Sequence, residues 1–416
     1  MKKLYLLTNS FPYGKGEKSF IIPELNYLKK DFEVTILSCA TELEKCDIST
    51  ESKLDNDIQK IHLKSSIFFI EKIFLLFMAH LHTELWREYR KIFHSKKGKI
   101  KNMYAAVVFY CYGLHFYYQL KKMPLNFVKG TIFYSYWYSY KALALVSLKR
   151  KYPDIKIITR THGYDLYNER TTNGRQSFKE YMNNELDGIF FVSEAGYRYY
   201  KRMFLDGRTT PKLHVCRLGV PQKSKRNTLT NSNTFELVSC SNVIPLKRIE
   251  LIIEGLVNCS AEMLVHWTHF GDGSSMQQIT LLAERKLKTC KNISFTFYGY
   301  VSNQEIMKYY ESYPVNCFIT TSSTEGGSPV SIQEAISYGI PVIGTEVGGI
   351  PELVENNGKL LPATPTANEV TDAIKKIYYA SEEQIEIWRE NSYKLWKKKF
   401  DSDNNYEIFV EYLVNL

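Results

Sequence analysis

With 416 residues, 44% of them hydrophobic and 24% charged, the chain is too long for one ordinary core and too apolar for wholesale disorder, which leaves a two-domain globular protein. A formal net charge of +10 implies an anionic partner, either a phosphorylated substrate or acidic lipid; nucleic acid is set aside because the basic residues follow no recognisable binding motif. The aromatic content of 14% suits membrane and sugar interfaces, and the eight cysteines (Cys39, Cys46, Cys111, Cys216, Cys240, Cys259, Cys290, Cys317) stand singly, as reduced cytoplasmic thiols do.

In chain order, the opening apolar run is too short for a signal peptide and predicts a buried first strand over 4–8, then a helix over 17–29 and a strand over 32–38. Between strand and helix, Gly14-Lys15-Gly16-Glu17 occupies the usual place for a backbone loop over phosphate. From 66 to 119 the alternation fails. Ile67-Phe-Phe-Ile-Glu-Lys-Ile-Phe-Leu-Leu-Phe-Met78 is followed by Trp86 to Phe93, by Lys96, Lys97, Lys99 and Lys101, and by a second aromatic stretch. Interrupted by Glu71, Lys72, His80 and His82, these runs are too short to span a bilayer, but an apolar face beside a basic cluster fits a helical insertion (about 65–120) lying on anionic lipid. Strands are then predicted at 130–135, 155–160 and 188–193, and Arg160-Thr-His162-Gly-Tyr-Asp165 ends one of them, where His162, Arg160 and Asp165 would face an acceptor.

Residues 221–234 are polar and read as an exposed linker between a domain over 1–220 and a second over 235–391. The strand and helix pattern restarts there, with strands at 235–240, 264–270, 293–298, 315–320 and 341–344, and residues 392–416 read as a terminal helix returning to the first domain. After the first of these strands come Lys247 and Arg248, two cations able to hold a diphosphate; after the second comes Gly271. The most informative stretch is Glu325-Gly326-Gly327-Ser328-Pro329-Val330-Ser-Ile-Gln-Glu334. Ser328 as N-cap with Pro329 at the first helical position starts a helix whose amides can meet phosphate, glycines allow close approach, and Glu325 and Glu334 can each accept from paired sugar hydroxyls.

These motifs, with Phe11 to Glu17, Thr159 to Leu166, Arg217-Leu-Gly-Val220, Pro245 to Arg248 and above all Glu325 to Gly349, make the chain resemble the retaining glycosyltransferases of family 4, closest to bacterial members that build capsular and exopolysaccharides. The resemblance implies an α/β fold of GT-B type, with two Rossmann-like doubly wound domains facing a central cleft. It also implies retaining transfer of a hexosyl unit from a nucleotide-diphosphate sugar to a lipid-linked or other glycan acceptor, at the inner face of the plasma membrane and in association with other glycosyltransferases. By that resemblance Glu325 contacts the donor sugar, Glu334 the ribose and Lys247 the diphosphate. Gly14 and Gly16 close over phosphate, and His162 sits near the reacting carbon. Two departures stand out: eight residues separate Glu325 from Glu334, one more than the family's usual spacing, and Ser241-Asn242 replaces its Gly-Arg pair, leaving Arg248 as a substitute cation. No cofactor or essential metal is expected, since no His, Cys and Asp cluster has metal-ligand spacing and Asp401-Ser-Asp403 lies near the C-terminus. A sugar-nucleotide epimerase and a catalytically silent partner subunit are the alternatives.

Overall fold

The structure, a computed structural model, describes residues 1–14, 16–45, 58–95, 98–205, 212–223, 225–229 and 233–416. Lys15, Cys46, Lys96 and Lys97, singled out above, lie outside the described residues. Two compact units divide the chain: residues 1–216 with 406–416, and residues 217–405.

Unit 1 runs β1 (Lys2–Thr8), α1 (Lys18–Asp31), β2 (Phe32–Ser38), α2 (Glu42–Lys45), β3 (Gln59–His62), α3 (Phe69–His80), α4 (Thr83–Phe93), α5 (Lys99–Lys122), β4 (Ile132–Ser135), α6 (Tyr140–Lys151), β5 (Lys156–Thr161), α7 (Lys179–Asn183), β6 (Gly188–Phe191), α8 (Glu194–Phe204) and β7 (Leu213–Val215). Its sheet has the order β3-β2-β1-β4-β5-β6-β7, and the paired strands are parallel. Chain order reverses beside β1, so the carboxyl ends of β1 and β4 flank the topological switch point, with β5 next to β4. Consecutive buried residues such as Leu4-Tyr-Leu-Leu7 and Ile132-Phe-Tyr134 are what a sheet covered on both faces requires. One face packs under α5 and α6. The other takes α1 and the chain end, where Tyr406, Phe409, Val410 and Leu413 are buried.

Inside that second layer Arg160 is fully buried, its Nη2 lying 2.8 Å from Glu24 Oε2, its Nε donating to Tyr134 Oη at 2.9 Å and its guanidinium over the Phe409 ring. Alternation along β5 sends Arg160 into the core, so its placement on the acceptor side is corrected: it is a structural cation.

Unit 2 runs β8 (Phe235–Cys240), α9 (Ile249–Val257), β9 (Val265–Phe270), α10 (Met276–Leu287), β10 (Ile293–Gly299), α11 (Asn303–Ser312), β11 (Cys317–Ile319), α12 (Val330–Ser337), β12 (Val342–Thr345), β13 (Gly358–Leu361), α13 (Ala367–Tyr378) and α14 (Glu382–Lys399), with α15 (Ser402–Val414) leading into unit 1. The parallel order β10-β9-β8-β11-β12-β13 again reverses beside its first strand. The expected free linker is a strap on this unit. Asn227 is buried, its amide donating to Tyr310 O at 2.7 Å and Tyr313 O at 2.8 Å, and Arg389 donates to its carbonyl. The terminal helix expected from 392 is two helices, α14 and α15, meeting at Asp401, which is bound by Lys397 at 2.6 Å. Asp401 is therefore a joint residue.

Removing one partner of a buried ion pair strands the other charge, whereas removing both does not. Arg160→Met is expected to lower unfolding stability by about 3–5 kcal/mol, and Arg160→Met with Glu24→Met to recover most of it, as read by thermal melting.

Candidate functional site

At the carboxyl end of β8 the chain passes through a 3-10 turn at Pro245–Lys247 and reaches Arg248 in the left-handed region (φ 47°) before entering α9. This turn is stitched to the loop after β11. Ser323 N donates to Leu246 O at 2.8 Å, Thr321 Oγ1 to Lys247 O at 3.1 Å and Arg248 O at 2.9 Å. Arg248 Nε donates to Thr321 O at 2.7 Å, and its Nη2 to Ser322 O and Ala363 O, both at 2.9 Å. With three of its five N–H donors on carbonyls, Arg248 clamps the loops together, a role its expected part as a phosphate cation did not include.

The clamp brings Lys247 to Glu325. Their side chains form an ion pair, and Ser322 Oγ donates to the same Glu325 oxygen at 2.7 Å. Two glycines outside the predicted set make room for this loop. A Cβ on Gly348 (φ +53°) would lie 1.7 Å from Glu325 O, and one on Gly349 would lie 2.4 Å from Gly327 O, which accepts from Gly349 N at 3.1 Å. Gly271, expected at the donor, serves packing instead: its amide donates to Gly299 O at 2.8 Å and its Cβ would lie 1.8 Å from Ser241 O.

Helix α12 begins at Val330 with Pro329 as N-cap, one residue later than the Ser328 cap predicted. Ser328 Oγ instead accepts from Gln333 Nε2 at 3.1 Å. Gln333 N to Pro329 O is the first intrahelical bond, so the amides of Val330, Ser331 and Ile332 precede it at the positive end of the helix, just beyond Gly326 and Gly327.

Glu334 lies four residues into α12, in a different setting from Glu325. It is buried, Asn303 Nδ2 donates to its Oε1, and Lys223 is the nearby cation. Burial pushes its carboxyl up to about 7, with Asn303 and Lys223 opposing. Burial in turn holds the Lys223 ammonium below the usual lysine range, against Glu334 and Glu311. Lys223 and Asn303 were missed in the sequence, because one sits in a presumed linker and the other follows an ordinary helix cap.

In unit 1, Glu17 fills the loop after β1. Its carboxylate accepts from the amides of Asn9 (3.0 Å), Ser10 (2.6 Å) and Phe11 (2.8 Å), and Trp137 Nε1 donates to it. Those three amides therefore already hold an anion, the protein's own. Gly14 adopts φ +65° and Gly16 has open space where a Cβ would stand.

His162 lies at the end of β5 against Trp137 and Tyr136, with ring centroids 4.2 and 5.1 Å away, and Tyr164 continues the aromatic wall beside Trp137 at 5.0 Å. Neither ring nitrogen has a hydrogen-bond partner; Asp165 Oδ2 is 3.8 Å from Nδ1, beyond hydrogen-bond reach. Burial lowers the His162 pKa despite Asp165, so the ring is neutral at pH 7. Asp165 itself is buried and accepts from the amides of His162 at 2.8 Å and Tyr138 at 2.9 Å, shaping the turn from within rather than facing outward. Among the described residues no group of three His, Cys, Asp or Glu side chains could hold a metal ion.

Comparison with known proteins agrees with this architecture. Residues 221–395 match the family model described as glycosyl transferases group 1. The chain is 25% identical over 213 residues to the amylovoran biosynthesis glycosyltransferase AmsK of Erwinia amylovora, covering 49% of this chain and 50% of that protein. It is 27% identical over 223 residues to the O-antigen biosynthesis glycosyltransferase WbnH of Escherichia coli, covering 52% and 59%. The chain thus spans about half the length of the curated relatives it matches. Among solved structures, HepE of Anabaena in complex with UDP and glucose superposes with a TM-score of 0.66 over 100% of both chains at 14% identity. The lipopolysaccharide outer core galactosyltransferase WaaB superposes with a TM-score of 0.66 over 98% of this chain and 99% of that one, also at 14% identity. The fold is that of the GT-B glycosyltransferases, two Rossmann-like parallel-sheet domains.

A carboxyl whose pKa is raised by burial costs the folded state stability once the pH climbs above the unfolded value, and the full cost is reached above about 7. Glu334→Gln, which carries no charge to bury, is expected to melt above the parent protein at pH 8, with the gap closing as the pH is lowered towards 5. Melting curves at the two pH values check this; a lower melting point at pH 8 would contradict it.

Proposed function

Because residues 221–395 carry a group 1 glycosyl transferase domain, we propose that this protein is a retaining glycosyltransferase that moves a hexosyl unit from a nucleotide-diphosphate sugar onto a glycan acceptor. The observation that carries the reading is the convergence of Lys247, Glu325 and the free amide end of α12 on one pair of loops in unit 2. A cation and unpaired helix amides suit a diphosphate, and a carboxylate beside them suits the hydroxyls of the sugar it carries.

In this reading the diphosphate lies against the amides of Val330, Ser331 and Ile332, reached across Gly326 and Gly327, with Lys247 as its counter-charge. Glu325, paired with Lys247, accepts from donor-sugar hydroxyls, and Glu334, with Asn303 and Lys223 beside it, receives the ribose hydroxyls. As the glycosidic bond breaks, negative charge grows on the leaving phosphate, and fixed cations and dipoles stabilise that charge without having to reorganise. The acceptor hydroxyl attacks from the face the phosphate leaves and passes its proton to it, so the anomeric configuration is kept and no protein-held divalent ion is invoked. His162, neutral and walled by Trp137 and Tyr164, suits a sugar ring by stacking and is assigned to the acceptor side. We assign the acceptor to the lipid-linked or glycan precursors of surface polysaccharide, met at the cytoplasmic membrane face; the polysaccharide pathways in which AmsK and WbnH are named support this.

Thermal stabilisation across a panel of nucleotide sugars identifies the donor, since a ligand at 100 times its Kd adds about 2.7 kcal/mol. Lys247→Ala and Glu325→Ala, each at a partly exposed side chain, are expected to leave the fold intact and lower kcat/KM by about 10²–10³-fold. Wild-type turnover in either variant, or no stabilisation by any nucleotide sugar, would overturn the assignment.

A further inference from the structure

Helix α3 is amphipathic the wrong way round for a helix of a water-soluble domain. Its inward stripe holds Leu75 and Ala79, both buried, together with Glu71, whose carboxylate meets His115 Nδ1 at 2.5 Å. His115 is itself buried, and its Nε2 lies 2.7 Å from Lys64 O. The outward stripe is Ile70, Ile73, Phe74, Phe77 and Leu81, spaced to share one face, and ranges from 52% exposed at Phe74 to 81% at Ile70. Phe68 and Phe69 extend the stripe at the amino end. The polar anchor therefore faces the protein and the larger apolar side chains face away from it. So many large apolar residues together on one surface mark an interaction site.

Among the described residues, exposed lysines flank α3 and the end of the α5 helix it packs on. Lys72 is exposed on α3 itself. Lys64 is tied to α5 by its amide, which donates to Gln119 Oε1 at 2.8 Å, and Lys121 and Lys122 follow Gln119 directly, both exposed. The acid nearest in sequence, Glu71, is spent on His115. This basic rim differs from the one expected in the sequence: Lys96 and Lys97 lie outside the described residues, and Lys101 donates to Thr172 O at 2.5 Å. Among the described residues no helix is long and apolar enough to cross a membrane, so α3 can lie in an interface but not span one.

We propose that the α3 face is a membrane-docking surface: Ile70, Ile73, Phe74, Phe77 and Leu81 enter the boundary between headgroups and acyl chains of an anionic bilayer, and Lys64, Lys72, Lys121 and Lys122 engage its negative headgroups. The length fits, since the twelve residues of α3 make a rod of about 18 Å, enough to lay three turns flat in the interface. The proposal stands on this surface alone and does not depend on the transfer chemistry of unit 2.

The test is co-sedimentation of the full chain with vesicles of phosphatidylcholine alone and of phosphatidylcholine mixed with phosphatidylglycerol, alongside light scattering of the protein without lipid. The wild type is expected to pellet with the anionic vesicles and far less with the neutral ones. Ile70→Ser, Phe74→Ser and Phe77→Ser combined, all at exposed positions, should weaken that binding about tenfold or more, as should glutamine at the four lysines. The melting temperature in the absence of lipid should be unchanged in both variants, which separates loss of docking from loss of fold. Equal pelleting of the wild type and the serine variant would overturn the proposal. So would a lipid-free dimer that the serine variant abolishes while neither protein binds vesicles, because the face would then belong to a second copy.

Discussion

The candidate donor site depends on one clamp. Arg248 holds three carbonyls, on Thr321, Ser322 and Ala363, and so fastens the turn after β8 to the loop after β11. Neither loop would place its functional side chain alone: Lys247 sits in a single 3-10 turn and Glu325 in a glycine-rich segment with no regular structure. Joined, they put a cation beside a carboxylate at the start of α12. Gly348 and Gly349 press the loop after β12 onto the same segment from another side, at distances no side chain would permit. The rigidity that preorganised electrostatics requires is supplied here by backbone carbonyls and missing Cβ atoms rather than by further charged groups.

Much of the fold was legible because interior parallel strands are buried on both faces and read as unbroken apolar runs. The strands at 32–38, 188–193 and 235–240 fall where β2, β6 and β8 lie, give or take two residues. The strands that were missed are β3, β7 and β13, and all three lie at sheet edges. An edge strand needs less apolar surface, and Gln59-Lys-Ile-His62 and Gly358-Lys-Leu-Leu361 carry too little to be seen. The segment 221–234 misled for the opposite reason. Asn227 is buried and bonded into unit 2, while residues 221, 222, 225, 226, 228 and 233 are exposed, so low hydrophobicity gave no sign of the polar residue that pins the segment.

Within the site, residue type was legible and commitment was not. Lys247 and Arg248 are adjacent cations with no sequence feature to separate them, yet one meets a carboxylate and the other clamps three carbonyls. Arg160 and His162 are two residues apart, but Arg160 is on β5 and points to Glu24 in the core, while His162 lies past the strand end, where alternation no longer holds, and joins the aromatic wall of Trp137. The β1 loop shows the same limit. Gly14 and Gly16 suggested a phosphate cradle, whereas the amides of residues 9–11 are held by Glu17, three places beyond Gly14. Such outcomes turn on which partner reaches a group first in three dimensions.

The proposed chemistry requires a pyrophosphate to bind where unit 2 turns through Gly326-Gly327 into α12. A crystal structure of the protein soaked with its nucleotide sugar tests it most directly. Phosphate oxygens are expected within hydrogen-bond distance of the amides of Val330, Ser331 and Ile332, with Lys247 drawn onto the diphosphate. A nucleotide bound elsewhere, with those amides and Lys247 untouched, would contradict it.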